Sequence, residues 1–386
     1  MKSTTKAVIV HVHHSYLPVR GGMEIAISRL AEEQARRGHE VHVVAARRGA
    51  GRAEEEVNGV HVHRARAVGL GFPDLTVPLE VPAGLLRRAD VVHAHSQNSY
   101  FSVRLAEEAA RLSVPVAFLL MALGSLGSHP NLLVRLAGSR YANMMARRAV
   151  GAASVVMVKS GWDLERARAM GVEDPVLVPD GVSDVLLGLP KDPGAGRRLA
   201  GLGVPYFAYV GRLHRLKGVA VLVRAVAEAR RLGADVGAAV AGPGDPGLYV
   251  RLARRLGVER YVRFLGFISE EEKAHLLDGA VALVVPSVSD YAEAYSIAAS
   301  EAWARGRPVI ASAVGALRYR VRHGVNGLLV RPGDPRSLAE AMARLASSPG
   351  EADRMGEAGR PEALSWHQVY EMSMEAYRKA AGTARR

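Results

Sequence analysis

Cysteine is absent from all 386 residues. That removes disulfides, thiolate nucleophiles and cysteine-ligated zinc from consideration. Aromatic residues amount to only 5%, and no recognised reading module is present, so nucleic acid is not an expected partner. No run of about 20 apolar residues occurs, which excludes a predicted membrane-spanning helix. The longest candidate, Val114 to Leu123, reads as a buried strand running into its loop. The apolar stretch that follows Met1 to Lys6 is short and broken by His11 and His13, unlike a signal peptide. A cytoplasmic protein is therefore expected. Acids are the scarcer charge, 38 against 51 Lys and Arg, for a net charge of +13. Asparagine and glutamine are sparse and arginine abundant, which fits a thermophilic source and equally a GC-rich genome. The excess positive charge favours anionic partners such as phosphates or an acidic lipid surface; a solvated basic surface is the plainer alternative.

What is present is an ordinary globular balance, 49% apolar and 23% charged, in a chain longer than one hydrophobic core usually serves. Apolar runs alternate with amphipathic stretches. Strands are predicted at Ala7 to Val12, Val41 to Ala45, Val60 to Arg64, Val91 to His95, Val114 to Leu120, Ser154 to Val158 and Val176 to Val178. The first helix stops at Gly38, a residue suited to left-handed termination. From Pro179-Asp180-Gly181 to Val204 the chain is rich in Gly, Pro and charge and reads as an interdomain connection. A second series then follows: strands at Tyr206 to Val210, Val236 to Ala241, Val262 to Leu265, Ala280 to Val285 and Pro308 to Ala311. Its helices are predicted at Lys217 to Leu232, Leu248 to Leu256, Glu270 to Leu277 and after Tyr295. Short strands separated by helices give parallel sheets covered on both faces. The fold class expected is α/β: two facing Rossmann-like domains, residues 1–180 and 181–364, with a cleft between them, and a final segment 365–386.

Three motifs carry chemistry. Pro18-Val19-Arg20-Gly21-Gly22-Met23-Glu24 joins the first strand to the first helix, where glycine admits close backbone approach and the helix start offers free N–H groups. Gly211-Arg212-Leu213-His214-Arg215-Leu216-Lys217-Gly218 follows the first strand of the second series. Arg212 can grip a phosphate with two donors and Lys217 adds a point charge, a combination suited to a diphosphate. The segment from Glu293 through Tyr295, Ser296 and Ile297 to Glu301 follows Pro286 and Ser287. Glu293 is expected in the loop and Glu301 about two turns into the helix, the two acids on roughly one face. Carboxylates there accept hydrogen bonds from sugar or ribose hydroxyls, while N–H groups near Tyr295 and Ser296 can hold phosphate oxygens.

Taken in order, these motifs resemble the retaining, nucleotide-sugar-dependent glycosyltransferases of the GT-B fold, the group 1 or family 4 enzymes, over nearly the whole chain. Arg37-Gly38-His39-Glu40-Val41, the Pro179-Asp180-Gly181-Val182 hinge, Gly306-Arg307-Pro308-Val309-Ile310-Ala311 and Gly324 to Pro332 add to the resemblance. It implies that Gly22 makes room for phosphate, that Arg212 and Lys217 bind the donor diphosphate beside Gly211, and that Glu293 contacts the donor sugar. Glu301 would hold the ribose, with Tyr295, Ser296 and Ile297 completing the donor site. It implies catalysis by Glu293, Arg212 and Lys217 with retention of anomeric configuration, the donor phosphate helping to deprotonate the acceptor. Residues Ser365-Trp366 through Tyr377 look like the family's last helix, which returns to the first domain. Four positions depart from the pattern: Met121-Ala122 replaces a common histidine, Ser296 a glycine and Asp180 an asparagine. Val314-Gly315-Ala316-Leu317-Arg318-Tyr319 lacks a second glycine and the glutamate after it. Met121 and Tyr319 motivate a second reading, a catalytically degenerate member acting as a sugar-nucleotide-binding or regulatory subunit. A nucleotide-sugar epimerase, needing no acceptor, is a third.

Histidines pair at His11/His13, His61/His63 and His93/His95, each pair sharing a strand face. Such pairs can bind metal, but no carboxylate cluster completes a site and no two aspartates lie one residue apart. Neither metal nor another cofactor is expected. His95 and Ser96 end a strand where an acceptor could touch, as does Met121. Asn131 to Val150 holds Arg135, Arg140, Arg147 and Arg148 without an acid, together with Leu132, Leu133, Leu136, Met144 and Met145. Such a helix either lies on an anionic membrane or packs by its apolar side with its arginines in water. The expected partners are thus a nucleotide-diphosphate sugar, an acceptor glycan, lipid or small molecule, and an anionic membrane surface.

Overall fold

The computed structural model describes residues 6–19, 21–47, 52–71, 74–128, 131–132 and 134–384. Met1 to Thr5, Arg20 of the first glycine motif and Leu133 of the basic segment lie outside the described residues. The chain divides into two compact units: one runs to Asp180 and resumes at Trp366, the other is Gly181–Ser365.

The first unit is built on strands β1 (Val8–Val12), β2 (Glu40–Ala46), β3 (Glu54–Val57), β4 (Val60–Ala65), β5 (Ala67–Gly69), β6 (Thr76–Pro78), β7 (Val91–His95), β8 (Val116–Leu120), β9 (Val155–Val158) and β10 (Val176–Leu177). Its main sheet has the order β10-β9-β8-β7-β1-β2-β4-β3. Every pairing is parallel except that of β3 with β4. β5 and β6 form a separate two-stranded ribbon. The Val-rich strands are buried on both faces, as β7 is at all five positions, because helices cover both sides of a parallel sheet. The first helix, Gly22–Arg36, ends before Gly38, whose φ is +87°. The last helix, Trp366–Ala384, lies on β7, β8 and β9 and beside the first helix.

The second unit contains β11 (Tyr206–Val210), β12 (Gly237–Ala241), β13 (Val262–Gly266), β14 (Leu283–Val285), β15 (Val309–Ser312) and β16 (Gly327–Val330). They form one all-parallel sheet in the order β13-β12-β11-β14-β15-β16. Alternation along the strands feeds two cores: Phe207, Tyr209, Ala238 and Val240 enter one, and Tyr206, Ala208, Ala239 and Ala241 the other.

The reading of 181–204 as a connection is corrected. Asp184–Gly188 and Pro193–Ala200 are helices of the second unit, packed on the helix Glu270–Gly279. Proline sits at the start of the second of these, where its missing N–H is no loss, and Asp192 caps it. Gly and Pro here serve helix starts and close packing rather than flexibility.

Candidate functional site

In the second unit, β11 ends at Val210 and Gly211 to His214 lead into the short turn Arg215–Lys217. Gly218 then takes a left-handed φ of +74°. A Cβ there would lie 1.8 Å from the Pro286 carbonyl oxygen, so only glycine lets this loop approach the one after β14. The approach delivers Lys217. Its ammonium donates to Glu293 Oε1 at 2.8 Å and to the Ala292 carbonyl at 2.7 Å. The Ser287 hydroxyl donates to the same Oε1 at 2.5 Å. Glu293 is only 2% exposed, and its charge is met at once by an ammonium and a hydroxyl. Arg212 is exposed, and among the described residues no carboxylate is paired with it. One cation is thus partly neutralised and its neighbour is available to an anion.

The backbone of Glu293 is fixed from behind. Ala316 N–H donates to its carbonyl at 3.1 Å, and Gly315 N–H donates to Asp290 Oδ1 at 2.8 Å. A Cβ on Gly315 would sit 2.3 Å from the Glu293 carbonyl oxygen. Of the departures in segment 314–319, Tyr319 is exposed while its neighbour Arg320 turns inward. Arg320 donates to the carbonyls of Tyr295 and Ser296 at 3.0 and 2.9 Å and to Ser300 Oγ at 2.8 Å. Its guanidinium lies 3.8 Å from the Tyr295 ring centroid. Those bonds hold the entry to the helix Ile297–Ala304, which no side chain caps. Ser296 has φ +71° and ψ +79°, a conformation that glycine adopts without the Cβ penalty.

Glu301 lies four residues after Ile297, about one turn into that helix rather than two. Glu293 precedes the helix, so the argument from a shared helical face does not apply. The two acids have different partners. Lys273 donates to Glu301 Oε1 at 2.5 Å and to Glu270 Oε1 at 2.8 Å. Burial opposes the charge on Lys273, but Glu301 and Glu270 outweigh it and lift its pKa above the ordinary ammonium value.

The remaining candidates lie in the first unit. Gly22 opens the first helix, exposed, and apart from its chain neighbours and its own helix nothing among the described residues lies within 4 Å of where a Cβ would stand. Met121 follows β8. The Gln97 side-chain amide brackets its backbone, accepting from Met121 N–H at 3.0 Å and donating to its carbonyl at 2.8 Å. His95 is not at an open edge: it is 2% exposed, with Nε2 lying 2.9 Å from His11 Nδ1. Burial pushes its pKa well below the usual histidine value. Its inward direction follows from the parallel pairing of β1 and β7, which sets His11 opposite His93 and so turns His95 to that same face. Nearby, Lys159 donates to Asp180 Oδ1 at 2.5 Å, both buried.

Sequence reasoning missed Lys273, Arg320, Gln97 and Lys159 as supports. The bonds Lys273–Glu301, Arg320–Ser300, Gln97–Met121 and Lys159–Asp180 span 28, 20, 24 and 21 positions, separations at which no local spacing pattern operates; only the Lys273–Glu270 bond is local. Ser287 was noted only as a neighbour of the acidic segment.

In the basic segment, Met145 is buried, and Arg148 turns back to hold Glu107 with two bonds of 2.8 Å. Leu132, Leu136 and Met144 are exposed, as are Arg135, Arg140 and Arg147. No helix among the described residues is long and apolar enough to cross a membrane.

Two family descriptions match: "Glycosyl transferase 4-like domain" over residues 21–181 and "Glycosyl transferases group 1" over 204–348. The chain is similar to a D-inositol 3-phosphate glycosyltransferase of Nocardioides sp., 30% identical over 95% of this chain and 86% of that protein. It is likewise similar to one of Actinosynnema mirum, 33% identical over 93% and 92%. Among solved structures, sucrose-phosphate synthase from Thermosynechococcus elongatus superposes with a TM-score of 0.77 at 23% identity, covering 97% of this chain and 99% of that one. HepE of Anabaena, solved with UDP-glucose, gives 0.72 at 20% identity over 96% and 98%. The shared fold consists of two Rossmann-like domains.

Proposed function

The chain belongs to the group 1 glycosyltransferases, and from that premise we propose that it moves a sugar from a nucleotide-diphosphate sugar to an acceptor with retention of anomeric configuration. The observation that carries the reading is the junction of Lys217, Glu293 and Ser287, which joins two loops 76 positions apart. In this reading Arg212 and Lys217 receive the donor diphosphate, and the N–H groups at Tyr295, Ser296 and Ile297 take phosphate oxygens. Glu293, freed in part from Lys217 as phosphate takes up that ammonium, accepts from sugar hydroxyls. Glu301 Oε2, the oxygen not held by Lys273, accepts from the ribose. Gly211 leaves room for the donor. The cations stabilise the leaving diphosphate, and a donor phosphate oxygen takes the acceptor proton. No metal or other cofactor has a role in this scheme.

HepE was solved with UDP-glucose, which makes a UDP-sugar the first donor to try. The relatives are named for inositol 3-phosphate, which makes a phosphorylated cyclitol the first acceptor, ahead of glycans and lipid-linked sugars. Glu293→Ala and Lys217→Ala are each expected to lower transfer by about 10²–10³-fold, the scale of removing one electrostatic stabiliser. Unchanged turnover in both would remove the site assignment. The anomeric configuration of the product, read by NMR, tests retention.

Met121 favours a second reading, since a thioether can neither donate nor accept a proton where a histidine is common. A degenerate sugar-nucleotide-binding subunit would show donor-induced thermal shift without transfer or donor hydrolysis across that acceptor panel. The exposed Leu132, Leu136 and Met144 among three arginines support docking to an anionic membrane. Flotation with phosphatidylglycerol vesicles is expected to carry the protein, and Arg135→Glu with Arg140→Glu to release it; equal flotation on neutral vesicles would refute the docking.

A further inference from the structure

We propose that His11, His93 and His95 form a binding site for one divalent transition-metal cation of the zinc class inside the first unit. The parallel register sets His11 of β1 opposite His93 of β7, and His95, two positions on, faces the same way. One ring nitrogen from each of the three lies within 4.8 Å of one from each of the others, and all three rings are buried. Three imidazoles are an established ligand set for zinc with a fourth position left open. Tetrahedral bonds of about 2.0–2.1 Å place ligand nitrogens roughly 3.3 Å apart. One pair, His11 Nδ1 and His95 Nε2, stands at 2.9 Å, and the 4.8 Å limit encloses the third nitrogen.

The far sides of two rings are anchored as metal-bound imidazoles are. His11 Nε2 lies 2.7 Å from Gln34 Oε1, and His93 Nδ1 lies 2.8 Å from the Tyr377 hydroxyl. Gln34 Nε2 donates to that hydroxyl at 3.0 Å, so one amide ties both anchors together. The near side of His93 is open: among the described residues its Nε2 has no hydrogen-bond partner, although the ring is 1% exposed. His95 Nδ1 is likewise unpartnered. Coordination through His95 Nε2 requires its proton to reside on Nδ1. Beside His93 and His95, a cavity of about 20 Å³ bordered by Leu119, Met157 and Lys159 has room for one water-sized group. Nitrogen ligands without a carboxylate select zinc, cobalt or nickel over magnesium or calcium. The bound ion would clamp β1 to β7 and, through Gln34 and Tyr377, brace the first and last helices.

The test uses the untagged full-length chain, stripped by chelation and titrated with Co²⁺. Visible d–d absorption saturating at one equivalent, and a rise in Tm with one equivalent of Zn²⁺, are expected. His93→Gln should abolish the absorption with far-UV circular dichroism retained. Should that variant fail to fold, Tyr377→Phe, which keeps the ring and loses the anchor, is expected to weaken binding by about 10–100-fold. A second histidine group, His42, His61 and His63 with Glu40, Glu54 and Glu56, lies along β2, β3 and β4. His61→Gln with His63→Gln must leave the signal unchanged. No visible band at one equivalent, a Tm indifferent to Zn²⁺, or a signal lost only on changing His61 and His63, would each overturn the proposal.

Discussion

Two fully buried aspartates show how differently the two units handle charge. In the first, Asp163 accepts from Leu123 N–H and from the Ser160 hydroxyl, each at 2.9 Å, and among the described residues no cation is bonded to it. Burial pushes its carboxyl up to about 6, against the pull of those bonds. In the second, Asp278 is gripped at both oxygens by Arg305, at 2.8 and 2.7 Å. Arg305 spends its other donors on the carbonyls of Leu186 and Leu189. The same division recurs around them. The second unit buries Glu293 against Lys217 and Glu301 against Lys273, while the first fills its interior with His11, His93 and His95, with Lys159–Asp180 as its own buried ion pair. Paired charges fix positions where an anionic ligand is expected. In the first unit, a carboxyl with no cation bonded to it among the described residues fixes a loop, and a histidine cluster joins two strands of the sheet.

The comparison breaks most visibly if an ion pair is cut. Asp278→Ala leaves the Arg305 guanidinium buried and uncompensated, which is expected to cost about 3–5 kcal/mol. The second unit carries a single tryptophan, Trp303, whose fluorescence through a denaturant titration reads that unit; a loss below about 1 kcal/mol would show that the pair does little.

Asp163→Asn sharpens the other side. A carboxyl raised above its unfolded value lends stability below pH 4 that is lost as pH rises to about 6. The loss is on the order of 2–3 kcal/mol. Asparagine keeps an acceptor for Leu123 N–H and does not titrate, so the stability of the variant relative to the parent should climb between pH 4 and 6 and level off above. A difference that stays flat across that window would exclude the burial cost.

The smallest effect belongs to Ser296→Gly, which relieves a left-handed φ and should raise stability by about 1 kcal/mol without loss of donor binding. A lower midpoint would mean that the serine hydroxyl compensates for its backbone.

Much of this was visible in the chain itself. Val91 to His95 and Tyr206 to Val210 were predicted at their observed limits because short, mostly apolar runs between helical stretches mark buried parallel strands. β3 escaped notice, since its Glu-Glu-Glu-Val sequence at an exposed sheet edge carries no apolar run. The helices between 184 and 200 were masked by glycine and proline, residues that punctuate helices as often as they break them. At the candidate site, Lys217 and Glu293 were readable from motif order, but the partnership of Glu301 with Lys273 was not. Nor was the histidine cluster: spacing joined His93 to His95 and His11 to His13, whereas sheet register joins His11 to His93.

The return of the last helix has a consequence for synthesis. Residues 181–365 are an insertion within the first unit, stitched at its neck where Val182 N–H donates to the Leu364 carbonyl at 2.8 Å. A nascent chain therefore completes its second sheet while the first still lacks a covering helix. Gln34 and His93 lack their hydroxyl partner until Tyr377 leaves the ribosome. A message cut short at Ser365 would yield a finished insert carried on an uncovered host, with the polar groups of that face turned to water.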